Sequence, residues 1–106
     1  MNERINDMDE VASTFYGDEQ VTAIISLKID SKEVEKAAIE TAKFEEVIDV
    51  FLVTGDSDMI IKVKLNNYQH LKEFVTHQLP TVTGIRESKT LVVVSAYKEN
   101  GVKKTP

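Results

Sequence analysis

The stretch VIDVFLVTGDSDMIIKVKL, residues 47–65, decides the fold. Its first half, Val47 to Thr54, is apolar on both faces apart from Asp49, the pattern of a strand covered on both sides. Gly55-Asp56-Ser57-Asp58 then supplies turn residues. Met59 to Leu65 returns with strict alternation: Met59, Ile61, Val63 and Leu65 face one way, Lys62 and Lys64 the other. Two strands joined by such a turn make a hairpin, centred on T-G-D-S-D.

Upstream, Val21, Ala23, Ile25, Leu27 and Ile29 alternate in a first strand. Asp30 and Glu33 have the spacing of a helix cap and its reciprocal carboxylate. Val34, Ala37, Ala38, Thr41 and Ala42 then predict a helix to about Phe44, with a small-residue stripe that can lie close on a sheet. Downstream, Asn66 and Gln69 repeat the cap spacing. Leu71, Phe74, Val75, Gln78 and Leu79 mark a second helix that Pro80 stops. Val82 to Ile85, broken by Gly84, leads to a last strand near Thr90 to Tyr97. The order β-α-β-β-α-β predicts an α+β, ferredoxin-like sandwich, an antiparallel sheet with two helices on one face. The other face is too apolar to be wet. It is expected to pack on a second subunit, in a dimeric αβ-barrel type of assembly.

The 106 residues carry a net charge of −5, and its distribution is informative. Glu3, Asp7, Asp9, Glu10, Asp18 and Glu19 face a single base, Arg4, within residues 1–20, and the rest of the chain is neutral. Three segments follow: an acidic arm (1–20), a body (21–99) and a polar tail (100–106) expected to fray. Ile5, Met8, Ala12 and Phe15 or Tyr16 fall at helical spacing in the arm, although a flexible leader would serve as well. A neutral body with an acidic arm is a poor match for phosphates, so direct nucleic-acid binding is not expected. The apolar runs reach only four residues, as in Leu91 to Val94, too short to span a membrane as a helix. With no cysteine and no basic, apolar leader, a cytoplasmic location is expected.

The pointed chemistry is in T-G-D-S-D. Gly55 permits close backbone approach, and Asp56 and Asp58 place carboxylates beside exposed amides. A small zwitterion would find amide donors for its carboxylate and an aspartate for its ammonium. A plain turn uses the same residues, and the glutamate-terminated ligand series of a calcium loop is absent. His70 and His77, two helical turns apart with Glu73 between, are spaced too widely for a typical metal pair and read as a solvated face. Ser31, Ser57, Ser88 and Ser95 lack a nucleophile-elbow context, and Lys103 and Lys104 form only a weak basic tail. No catalytic residue, metal site or cofactor is expected.

V-F-L-V-T-G-D-S-D-M-I-I-K-V (50–63), L-P-T-V-T-G-I (79–85) and S-K-T-L-V-V-V (88–94) together resemble the effector-binding domain, or RAM domain, of the Lrp/AsnC (feast/famine) transcription regulators. The resemblance runs from Val21 to about Glu99. It implies a sandwich that dimerises through its open sheet face, often into rings of dimers, with an amino acid site where dimers meet. By position, Thr54, Gly55, Asp56, Ser57 and Asp58 would line that site. Ser88, Lys89 and Thr90, from the same or a neighbouring subunit, would complete it. Amides around Gly55 would hold the ligand carboxylate, and Asp58 or Asp56 its ammonium.

Two departures stand out. An acidic arm of twenty residues has no room for the family's helix-turn-helix domain, so a stand-alone effector domain is expected. It would act by sensing a small molecule or by co-assembly with full-length relatives. Ser57 also stands where the family often has an aromatic residue, which would reshape the pocket. The expected function is a non-enzymatic, homo-oligomeric amino-acid-binding module in transcription regulation. The alternatives are a dimeric αβ-barrel enzyme, which needs a polar cavity containing Asp49 or a buried histidine, and an ACT-like regulatory domain.

Overall fold

The computed structural model describes residues 20–104. The helical spacing in the arm lies outside the described residues. Four strands form one antiparallel sheet in the order β2-β3-β1-β4: β1 Val21–Ile29, β2 Val47–Leu52, β3 Met59–Leu65 and β4 Ile85–Val92. A helical turn at Ser31–Glu33 leads into α1, Val34–Thr41. The second helix, α2, begins at Tyr68–Glu73 and continues through a wider π turn, Phe74–Gln78, into a closing 3₁₀ turn, Leu79–Thr81. This is the ferredoxin-like sandwich.

Alternation builds the core. Val21, Ala23, Ile25, Leu27 and Ile29 of β1 are buried beside Met59, Ile61, Val63 and Leu65 of β3. Leu71, Phe74, Val75 and Leu79 of α2 close over them, and Phe44 meets Phe74 edge to face at 5.4 Å. From α1 come Ala37 and Thr41, both fully buried, small enough to let the helix lie on the sheet. Gly84, just before β4, is confined from two sides. Its φ is +98°, and a Cβ there would stand 2.5 Å from Glu33 Cβ, so no other residue fits without movement.

Several elements differ from the sequence expectation. Asp30 makes no side-chain cap. Its carbonyl accepts from Glu33 N at 2.8 Å and its N–H donates to Gly84 O, so the backbone itself closes the turn. The second helix is capped by Asn67, not Asn66: Asn67 Oδ1 accepts from His70 N at 2.8 Å. Pro80 lies inside the last helical turn, where its missing N–H is tolerated. The fourth strand starts at Ile85 and ends at Val92, earlier than Thr90 to Tyr97, because its register is set by pairing with β1 through Gly84's turn. The described part of the polar tail turns back on the end of the body in a hairpin, β5 Lys98–Glu99 and β6 Val102–Lys103. Asn100 and Gly101, both at positive φ, make the tight turn that Asn-Gly favours. Glu99 reaches back to Lys62 on the sheet. The hydrogen bond from Lys62, its charge, and the charges of Lys64 and Lys104 hold Glu99 below the ordinary glutamate range.

In the single chain β2 is not covered on both faces as expected: it is an outer strand, and its Ile48, Phe51 and Leu52 are exposed. Two registered rows cross the helix-free face: Phe51, Ile60, Ser26, Lys89 and Asp49, Lys62, Ile24, Leu91. Phe51, Ile60, Ile24 and Leu91 therefore form an apolar diagonal. Phe51 is 56% and Leu91 52% exposed, so the chain itself leaves this diagonal open.

Candidate ligand site

The turn between β2 and β3 is held to β1 by backbone geometry and one aspartate. Val53 N donates to Asp58 O at 3.0 Å, and Asp58 N donates to Leu27 O at 2.9 Å. The pairing of β1 with β3 ends at Leu27 and Met59, and β1 shifts register against β4 between Lys28 and Ile29. Asp58 Oδ2 accepts from Ile29 N at 2.8 Å and so satisfies an amide that the ladders miss. Gly55 stands at φ +120° at the tip, with nothing within 4 Å of where a Cβ would be. Its amides are open to approach.

Fixed in this way, the turn faces the edge strand. A cavity of ≈ 270 Å³ is walled by Asp56 and Ser57 of the turn, Ser26 and Lys28 of β1, and Glu87, Ser88 and Lys89 of β4. The structure thus brings Asp56 and Ser57 together with Ser88 and Lys89 within one chain. Thr54, Gly55, Asp58 and Thr90 are not on its wall. Thr54 and Gly55 are exposed at the turn, Asp58 is turned to β1, and Thr90 pairs with Ile25 on the helix side. Ser26, Lys28 and Glu87 are wall residues that the sequence reading missed. Lys28 is opposite Glu87 and Ser26 opposite Lys89, so an earlier start for β4 would have found them by alternation.

A second cavity, ≈ 350 Å³, lies between α2 and β4. Val75, Leu79, Pro80 and Ile85 make it largely apolar, and the turn takes no part in it. Glu87 and Ser88 border both cavities, one to each side of the edge strand.

The histidines divide. His77 is exposed, as expected. His70 is not on a solvated face: Nε2 lies 2.9 Å from Glu46 Oε2, and Nδ1 accepts from Asn66 N at 3.2 Å. An Nδ1 that accepts leaves the proton on Nε2, where it is donated to Glu46. Burial pushes the Glu46 carboxyl up, but the hydrogen bond and electrostatic attraction of the polarised His70 Nε2–H, with Glu46's own amide and Gln78, hold it net below the ordinary range. A carboxyl lowered in the folded state stabilises above its unfolded pKa and loses that contribution as pH falls through the folded value. Glu46→Gln is therefore expected to be about 1 kcal/mol less stable than the parent at pH 7, with the gap closing below about pH 4, by urea unfolding at both pH values. Among the described residues no three His, Asp or Glu side chains are grouped to hold a metal, and no helix is long and apolar enough to cross a membrane.

The fold is an α+β sandwich with an open polar cavity beside its hairpin turn, and comparison with known proteins narrows the class. The model of the Lrp/AsnC ligand binding domain matches residues 22–102. The HTH-type transcriptional regulator FL11 of Pyrococcus furiosus is 27% identical over 79 residues, covering 74% of this chain and 52% of its own. The chain thus spans about half the length of the curated relatives it matches. TTHA0845 of Thermus thermophilus superposes with a TM-score of 0.70 at 25% identity, over 74% of this chain and 99% of that one. The transcriptional regulator NMB0573 of Neisseria meningitidis, solved as a complex with L-Met, gives 0.70 at 18% identity, over 96% and 73%. This chain belongs to the Lrp/AsnC ligand-binding domain family, whose regulators control transcription.

Proposed function

We propose that the chain is a non-enzymatic, homo-oligomeric module that binds a free amino acid at the T-G-D-S-D turn and serves transcription regulation in the cytoplasm. The observation that carries the reading is the cavity in which Asp56 and Ser57 meet Ser88 and Lys89. Amides around Gly55 receive the ligand carboxylate and Asp56 its ammonium, with Thr54 flanking. Asp58 holds the turn in place, since its carboxylate is engaged by Ile29 N. The cavity is open, and its wall residues Lys28, Asp56, Glu87 and Lys89 are exposed, which suits a site completed by a neighbouring subunit. The L-Met complex of NMB0573 supports an amino acid as the ligand class. The apolar diagonal supports a homodimer through the helix-free face, extendable to a ring of dimers. Output passes through sensing or through co-assembly with full-length Lrp/AsnC relatives, with no direct nucleic-acid or membrane contact by this body.

A thermal-shift screen of the twenty amino acids, with the mass measured by light scattering, tests the proposal. At least one amino acid is expected to raise the melting temperature of a dimer or larger assembly in a concentration-dependent way. An assembly stabilised by none of them would refute amino acid binding.

A further inference from the structure

The charges around the cavity limit the ligand further, if the proposed site is right. Its wall carries two ammonium groups, Lys28 and Lys89, and two carboxylates, Asp56 and Glu87. None of the four makes an ion pair with another described residue. The remaining wall residues are serines, and no apolar side chain is among them. The amino acid backbone answers two of these charges: its ammonium takes Asp56, and its carboxylate takes one lysine. One lysine and Glu87 are left for the ligand's side chain.

An aliphatic or thioether side chain would strip water from this opposite pair and return no hydrogen bond. A side-chain carboxylate would satisfy the lysine and oppose Glu87. A side-chain ammonium would do the reverse. A neutral carboxamide matches both, since its oxygen accepts from the lysine and its NH₂ donates to the glutamate. We infer that the site selects an amino acid with a carboxamide side chain, and that Glu87 with Lys28 or Lys89 sets this preference.

Glutamine, glutamate and methionine are close in length and differ in what the side-chain end offers, so they isolate the effect. Calorimetric titration of the assembled protein is expected to show glutamine or asparagine binding at least ~10-fold more tightly than glutamate and methionine, as for a site built to hydrogen-bond. Glu87→Ala, an exposed position, is expected to cut the carboxamide preference over methionine to less than ~3-fold without loss of folding. Methionine or leucine binding more tightly than either carboxamide would overturn the inference, and would point to the apolar cavity beside Val75 and Leu79. That result would leave the amino acid site standing. An assembly that binds none of the twenty would instead remove the site on which the inference rests.

Discussion

Asp56→Ala is expected to weaken amino acid binding by about 10- to 100-fold, while the melting temperature of the free protein stays nearly unchanged. A carboxylate hydrogen-bonded to an ammonium contributes roughly 1.5–3 kcal/mol, and each 1.4 kcal/mol is about tenfold in affinity. Asp56 is exposed at the cavity and holds no other element in place, so its loss should fall on binding. Asp58→Ala should behave in the opposite way. It removes the acceptor for Ile29 N, an amide of a residue only 5% exposed. An orphaned buried amide costs about 1–3 kcal/mol, or roughly 4–8 °C of melting temperature per kcal/mol in a domain of this size. Asp58→Asn keeps an acceptor oxygen and should recover much of the loss. Calorimetry and thermal melts on the three variants check this division. Equal binding losses from Asp56→Ala and Asp58→Asn would mean that Asp58 meets the ligand after all.

The second large effect is expected on assembly. If the proposed dimer forms through the helix-free face, Phe51→Glu combined with Leu91→Glu should turn it into a folded monomer at concentrations where the parent associates. Both side chains lie on the apolar diagonal and are more than half exposed in the single chain, so neither supports the core of its own subunit. In a two-fold contact each substitution enters the interface twice. Each loses up to about 1.5–3 kcal/mol of apolar burial, and an unpaired buried carboxylate adds several kcal/mol. Light scattering and circular dichroism on the same samples read mass and fold. A variant that keeps the parent's mass would place the subunit contact elsewhere.

The sequence disclosed what alternation and turn chemistry determine. The stripe of β1, the T-G-D-S-D hairpin and the apolar face of α2 all stand in the structure where the residues put them. What it concealed depends on partners distant in the chain. Ile85 to Val92 has no clean alternation, because β4 is an edge strand whose position comes from pairing with Ala23 to Ile29. With that strand placed late, Lys28 and Glu87 could not be set beside the turn. The two aspartates of G-D-S-D are equivalent in sequence, and the gap in hydrogen bonding at Ile29 separates them. His70 looked solvated because its partners come from outside the helix: Asn66, just before it, and Glu46, ahead of β2. The carboxylates and lysines of the cavity are each ordinary surface residues. Their meaning comes from the register that sets Lys28 against Glu87 and Ser26 against Lys89.

We propose that an amino acid binds where the Gly55 turn meets the Ser88–Lys89 edge. The most direct measurement is an amide nitrogen–proton correlation spectrum of the protein, titrated with a mixture of the twenty amino acids and then with each component. Saturable shifts concentrated at Gly55, Asp56, Ser57, Ser88 and Lys89 are the predicted result. Spectra that do not change, or shifts confined to Val75, Leu79 and Ile85 on the helix side of β4, would contradict it.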